Sequence, residues 1–476
     1  MKFDIVIGNP PFQDNINKKK TQHKIWPAFT EKVFSEWLNE FGYLGWITPQ
    51  SWGSPSNNIL ELLKSKEVLY MNMDTSKYFP DVASTFSHYV VKNSKSNGKT
   101  CFVINGNKFR TNFDENVGYV PSDINSKSIN IHGKVMFSDR EVYDVNYDYV
   151  TCHNVIVHRL TKLEEKLLSH VNSLSTKTGS SLQKACDKIS ELAQKRKSAK
   201  ITISKEKTSE HIHPVLHTNK QTWFSSIKQD FSDSKKVMWS RSGYTKPFFD
   251  NGTLGCTDMG YYILVDSDQE GRDLEKFLNS DLMSYIFKTA KWSGFGNEKV
   301  FCSIPVYDYS NGLNNSDIYN FFDISEQEIE YIDSVLNPPR QSSAKSGKKS
   351  EIKSEHRVKR FGEVYTPKEL ISDILGSIPQ SEWADKEKTV LDPACGSGNF
   401  LIETMKTMIH SGDKPVNALS RIYGIDILED NVEQARERML DLSKQFGIDD
   451  AEAESIVNKN IVCADSLEVD VSVLFC

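Results

Sequence analysis

Apolar and polar positions alternate in two different rhythms along this chain. Residues 3–7 (FDIVI) are a short apolar run that stops at a glycine and two prolines, as a strand buried on both faces does. The spacing over residues 26–38 predicts a helix, and residues 43–48 predict a second strand stopped by Pro49. A short helix and strand are expected within 59–71. The β-branched and aromatic residues over 86–91 predict a hairpin-like strand. From about residue 100 to 337 the texture changes to alternating aromatic and Asn/Gly/Asp-rich segments. Within it, helices are expected at 160–172, 181–197 and inside 268–290, and residues 173–209, rich in serine and lysine, are expected to be exposed. Residues 338–360 hold proline, serine, glycine and many basic residues with little to bury, the composition of a tether. Helix and strand periods then resume. A strand ends at Leu391, a helix covers 399–410, a strand 422–427, a long helix about 430–446 and a strand 461–463. No internal repeat interrupts this order.

Composition narrows the picture only a little. The chain has 476 residues, 38% of them apolar, enough for a substantial core in two or three domains. No apolar run is long enough to span a bilayer, so no membrane role is expected. The N-terminus lacks the pattern of a cleaved leader. None of the eight cysteines is spaced as CxxC, and they read as reduced thiols of a cytosolic protein. A net charge of -6 does not advertise nucleic-acid binding, so any DNA-facing surface must be local.

The chemistry lies in two short motifs at opposite ends. Residues 392–400 read DPACGSGNF, between a strand and a helix. Gly396 and Gly398 let the backbone turn tightly and come close to a ligand, with Asp392, Ala394, Asn399 and Phe400 around them. One βα unit later, Asp426 and Ile427 end a strand, where a carboxylate can accept two hydrogen bonds from ribose hydroxyls. Asp465 ends the third strand, placed to accept from an adenine amine. The second motif is Asn9, Pro10, Pro11 and Phe12, directly after the strand over 3–7. Its prolines stiffen the loop and remove donors. The Asn9 side-chain oxygen and the Pro10 carbonyl can both accept from an NH2 group, which draws that nitrogen toward tetrahedral geometry and frees its lone pair. Phe12 offers a face on which an extruded base can stack.

Taken together, residues 9–12, residues 392–400, Asp426 and Asp465 resemble the motif set of the N6-adenine DNA methyltransferases. Residues 361–367 (FGEVYTP) are similar to the family segment that touches the methionine part of the cofactor, which implies Tyr365, Thr366 and Pro367 as contacts. Phe29 falls where the family places an aromatic against the cofactor adenine, and Phe79 where it places a second aromatic against the extruded base. Residues 47–49 match the next strand end. Residues 278–305 loosely resemble the end of a target-recognition domain, and residues 100–236 resemble nothing identified. The resemblance implies S-adenosyl-L-methionine as cofactor, double-stranded DNA as partner, and an α/β Rossmann-like seven-stranded methyltransferase sheet. It further implies a bacterial or phage-infected cytoplasm and a separate restriction endonuclease as a partner of the same system; oligomeric state stays open. In the linear family members the glycine loop precedes the NPP loop. Here the order is reversed, so the fold is expected to be circularly permuted, residues 461–476 leading back into residues 1–12. The expected domains are 1–100 and 356–476 as two halves of one methyltransferase domain, an inserted α+β target-recognition domain over 101–337, and a linker over 338–355.

His211 and His213 could bind a metal, but no acid or cysteine completes a ligand pattern, and none is expected. Pro80 and Asp81 hint at a nuclease, but the matching acid-x-lysine is missing. Arg241, Tyr244 and Lys246 are candidate DNA contacts in the presumed recognition domain, since arginine reads guanine edges. The basic residues over 195–207 read either as a solvated loop or as phosphate contacts. Three rivals stay open at this level. One is a methyltransferase acting on a glutamine amide or on RNA, one is a cytosine-N4 enzyme, and one is a catalytically dead DNA-binding protein.

Overall fold

The structure is a computed structural model. It describes residues 2–12, 24–54, 58–79, 85–96, 99–111, 118–148, 151–174, 179–198, 201–218, 221–241, 243, 245–291, 298–301, 303–338 and 366–475. The chain divides into two compact units, one of residues 1–133, 289–296 and 340–476, the other of residues 134–288 and 297–339.

The first unit is built on one large mixed sheet. Its strands are β1 (Phe3–Gly8), β2 (Leu38–Pro49), β3 (Lys66–Asn72), β4 (Phe86–Lys95), β5 (Thr100–Ile104), β6 (Asn107–Thr111), β7 (Val390–Asp392), β8 (Ile422–Asp426) and β9 (Ile461–Cys463). Their order across the sheet is β9-β8-β7-β1-β2-β4-β3-β5-β6. Neighbours from β9 to β2 run parallel, whereas β4 is antiparallel to both β2 and β3. Among the described residues the expected seven strands are nine, because the hairpin β5–β6 lengthens one edge and carries the sheet past residue 100.

Both faces of the sheet are covered. Ile5 and Ile7 of β1 with Tyr43 and Ile47 of β2 pack against helices Lys368–Gly376 and Asn399–His410 through Leu370, Ile374, Phe400 and Leu401. Val6, Leu44 and Trp46 face the other way, onto Trp26, Val33, Ile59 and Leu63. Alternation on a strand flanked by helices on both sides leaves no polar face, which is why β1 reads as unbroken apolar sequence. The two sequence halves are also tied by polar contacts. Asp4 accepts from the Thr389 backbone N–H at 3.0 Å and from its hydroxyl at 3.1 Å, and Lys32 Nζ donates to the carbonyls of Ser466 and Leu467 at 3.2 and 2.7 Å.

The helix expected over 26–38 is shorter. An α-helix covers Trp26–Lys32, a π-turn follows over Val33–Trp37, and β2 already begins at Leu38. Residues between the pairs Phe3↔Leu38 and Ile5↔Tyr43 bulge out of register, with Phe41 at a positive φ of 64 and exposed. Periodicity does not distinguish such a bulge from a loop, so the strand read as beginning at 43.

The second unit holds two four-stranded sheets. One has the order Gly255–Cys256, His213–Leu216, Thr222–Ser225, Ile203–Ser204; the other has Phe248–Asn251, Lys235–Ser240, Gly260–Leu264, Asn146–Tyr147. Helices Val157–Asn172 and Gly179–Ser198 lie close to the expected spans, and the pattern over 268–290 splits at Asn279 into Asp268–Leu278 and Asp281–Thr289. Lys236 is fully buried, and its ammonium meets Asp250 Oδ2 at 2.7 Å and the Ser234 carbonyl at 2.8 Å. Among the described residues, no helix is long and apolar enough to cross a membrane, and no cluster of His, Cys, Asp and Glu could hold a metal. His211 has both ring nitrogens against threonine hydroxyls, Thr202 at 2.6 Å and Thr208 at 3.0 Å.

Candidate functional site

Two adjacent parallel strands place the motifs side by side. β1 pairs with β7 through Ile5↔Val390 and Val6↔Leu391, so the loops that follow leave the same edge of the sheet. The carboxyl ends of parallel strands are where open α/β sheets bind ligands. Gly8 permits the approach, since a Cβ there would lie 2.8 Å from Asp392 Oδ1 and 3.1 Å from the Trp46 ring.

The loop after β7 turns through Gly396 and Gly398, at φ 52 and 85. A Cβ on Gly396 would meet nothing within 4 Å, so it is the backbone conformation, not crowding, that calls for glycine there. Asp426, at the end of β8, accepts the Gly396 N–H at 2.8 Å through Oδ2, and the Leu428 N–H and the Asn431 amide at 3.0 and 3.1 Å through Oδ1. The residue read as a ribose ligand is thus also the post that shapes the loop. Ile427 beside it is exposed. Asp465 Oδ1 closes its own turn by accepting from the Leu467 N–H at 2.9 Å. Asp392 is buried, and its Oδ1 accepts from the Ala394 N–H at 3.1 Å. Burial, reinforced by the charge of Asp426, pushes its carboxyl up to about 8.

The Asn9 side chain donates from Nδ2 to Thr366 Oγ1 at 3.1 Å. Its Oδ1 is buried and meets no partner among the described residues. A buried amide oxygen left without a donor costs about 1–3 kcal/mol, and a ligand NH2 would satisfy it.

The three aromatic candidates sit in different surroundings. Phe12 stacks on Phe86 with ring centroids 5.0 Å apart, and Phe86 meets Phe79 edge-on at 5.2 Å. One face of Phe12 is therefore taken, and Phe79 is buried in the same aromatic row. Phe29 is a core residue, edge-on to Trp37 on the sheet face that also buries Trp26, and is not an open stacking platform. The pattern could not tell a core aromatic from an exposed one.

Two residues escaped the sequence reading. Phe86 gave no signal beyond its place in a strand. Arg438, on helix Glu429–Gln445, donates from Nη1 to the Ser397 carbonyl at 2.5 Å and to Asn399 Oδ1 at 2.8 Å, bracing the glycine loop from behind. In the second unit, Arg241 is half-buried and Lys246 exposed, on either side of a turn closed by the Thr245 N–H to Ser240 Oγ bond at 2.8 Å. Tyr244, Tyr365, Pro80 and Asp81 lie outside the described residues.

Comparison with known proteins finds family matches at both ends of the chain. Residues 352–468 match the family described as N-6 DNA Methylase, and residues 1–69 match the Eco57I restriction-modification methylase family. The chain is 37% identical over 117 residues to Type II methyltransferase M.VspI of Vibrio sp. (strain 343), covering 25% of this chain and 24% of the relative. It is 30% identical over 107 residues to Modification methylase CviBIII of Paramecium bursaria Chlorella virus NC1A, covering 21% of this chain and 28% of the relative. The chain thus spans about a quarter of the length of the curated relatives it matches. Among solved structures, the type IIL restriction-modification enzyme MmeI in complex with DNA aligns over 71% of this chain and 55% of its own, with TM-score 0.28 and 8% identity. The type IIG restriction endonuclease BpuSI aligns over 67% and 45%, with TM-score 0.21 and 12% identity. Likeness of that size does not by itself establish a shared fold.

Proposed function

From a chain that carries N6-adenine-specific DNA methyltransferase family domains at both ends, we propose an enzyme that methylates the N6 amine of an adenine flipped out of double-stranded DNA, with S-adenosyl-L-methionine as donor. The observation that carries the reading is the buried Asn9 Oδ1, an acceptor without a donor, on the loop beside the 392–400 turn.

The residues present fit the cofactor. Asp392 is a buried carboxyl whose ionisation a nearby cation would favour, and Gly396 leaves open space in front of the turn. When bound, S-adenosyl-L-methionine supplies an electrophilic methyl group and the positive charge that this acidic loop suits. Asp392, Ala394, Gly396, Gly398 and Asn399 would hold its methionine end with Thr366, and Asp426 and Asp465 its ribose and adenine. Asn9 Oδ1 and the Pro10 carbonyl would accept the two amine hydrogens of the target base. That orients the nitrogen lone pair and keeps it out of the ring. Phe12, backed by Phe86 and Phe79, presents its free face to the base. The amine proton becomes acidic once the nitrogen is alkylated, so the pocket works through position and acceptors.

The sheet order β9-β8-β7-β1-β2-β4-β3 supports reading the first unit as a circularly permuted methyltransferase fold. The second unit is then the target-recognition domain, with Arg241, Tyr244 and Lys246 against DNA, and a restriction endonuclease is its counterpart in the same system. Expression in a host free of DNA methylation, followed by modification-sensitive sequencing, tests the reading. N6-methyladenine at one sequence is expected, and an unmethylated genome refutes it. Asn9→Ala should abolish the mark, a loss of about 10²–10³ in rate, while calorimetry still detects cofactor binding. A variant that methylates at the wild-type rate contradicts the role of Asn9.

A further inference from the structure

Starting from the proposed methyl transfer, we infer that Thr366 is a positioning residue that holds the Asn9 amide in place, and that it does so through a hydrogen-bond chain anchored at Arg438. The chain has three links from distant parts of the sequence. Arg438 Nη1 donates to Asn399 Oδ1 at 2.8 Å. Asn399 Nδ2 donates to the Thr366 carbonyl at 3.5 Å. Asn9 Nδ2 donates to the Thr366 hydroxyl at 3.1 Å.

The first link has only one sense. A guanidinium can donate but never accept, so Asn399 must turn its oxygen to Arg438 and its NH2 to Thr366. Arg438 is itself held on the loop by the Ser397 carbonyl at 2.5 Å. Thr366 is buried and sits one residue before Pro367, whose carbonyl receives the first N–H groups of helix Lys368–Gly376. That helix is pinned to the sheet by Leu370, Ile371, Ile374 and Leu375. The Thr366 hydroxyl is therefore a fixed hydrogen-bonding partner rather than a mobile surface group.

The consequence falls on Asn9. With Nδ2 drawn to Thr366, its oxygen is the atom left facing the buried space, where it lacks a partner. An amide turned over would point NH2 at the target amine, donor against donor, and the pocket would repel the base it must hold. One hydroxyl thus holds the catalytic amide where its oxygen can meet the substrate amine. The same chain joins the glycine loop to the NPP loop, so the site for the methyl donor and the site for the base share one support.

The test compares Thr366→Val, which keeps shape and removes the acceptor, with Thr366→Ser, which keeps the acceptor. With full-length protein and an oligonucleotide carrying the site found by sequencing, Thr366→Val should lose about 100-fold in kcat, a penalty typical of a misplaced reacting group. Measured at saturating S-adenosyl-L-methionine, so that a weakened contact between Thr366 and the cofactor does not limit the rate, its KM for DNA should stay within about 3-fold of wild type, since the loss lies in the transition state. Thr366→Ser should recover kcat to within about 5-fold. Thr366→Ala makes the same comparison should valine prove too bulky for the folded site, with thermal melting as the check. An undiminished kcat in Thr366→Val at saturating cofactor, or a serine variant as slow as the valine one, would each overturn the inference. If wild type itself makes no N6-methyladenine, the proposed function falls and takes this inference with it. If wild type does and Thr366→Val is equally fast, the inference falls alone.

Discussion

Asp392→Asn separates the electrostatics of the glycine loop from its shape. Asparagine has nearly the same volume and keeps an oxygen for the Ala394 N–H at 3.1 Å, so packing and backbone should persist. What changes is the charge. In the native protein, burial and the neighbouring charge of Asp426 raise the Asp392 carboxyl from 3.8 to about 8. The folded state therefore holds a proton that the unfolded chain releases above pH 4. Stability falls as pH rises across that window, by about 1.4 kcal/mol per pH unit, and the loss is complete above pH 8. Between pH 5 and pH 7 the wild type should weaken by about 3 kcal/mol relative to Asp392→Asn. That corresponds to roughly 5–10 °C in melting temperature for a unit of this size. Taking the difference between the two proteins removes groups of opposite sign. Asp373 is one of these: its own burial raises it, but His88, Tyr70 and Asn72 bring it below the usual carboxylate value. Melting curves of both proteins without cofactor, from pH 5 to pH 8, give the answer. Parallel curves would refute the argument. Adding S-adenosyl-L-methionine sharpens the test, because a bound cation favours the ionised carboxylate. The cofactor-induced rise in melting temperature should grow with pH in the wild type and stay flat in Asp392→Asn.

Two further perturbations check other parts of the structure. Arg438→Met removes the donor that holds Ser397 and Asn399, and cofactor affinity should drop about 10-fold by calorimetry while the melting temperature changes little; unchanged affinity would show that the loop holds its shape unaided. Lys236→Met strands the buried Asp250 carboxylate in the second unit and should cost about 3–5 kcal/mol in denaturant unfolding, with a surface-like cost below about 1 kcal/mol arguing that the pair is solvated.

Much of the candidate site was readable because its constraints are local. Asn9 with its two prolines, and the glycines of the 392–400 turn, restrict φ and donors within a few residues, whatever the surroundings. Strand β1, helix Asn399–His410 and helix Glu429–Gln445 also follow from periods of burial that span one element. The rest depends on neighbours far away in sequence. Phe12 and Phe29 look alike as aromatic residues in a motif, yet Phe12 stacks on Phe86 and is only partly buried, whereas Phe29 disappears into the core beside Trp37. Asp426 becomes the support of Gly396 only because β7 and β8 pair in register. The Asn9 amide is held by Thr366, 357 positions along the chain. A residue's type and spacing determine what chemistry it can offer. Sheet order, register and packing determine what stands opposite it, because those contacts join segments whose separation in sequence leaves no periodic trace.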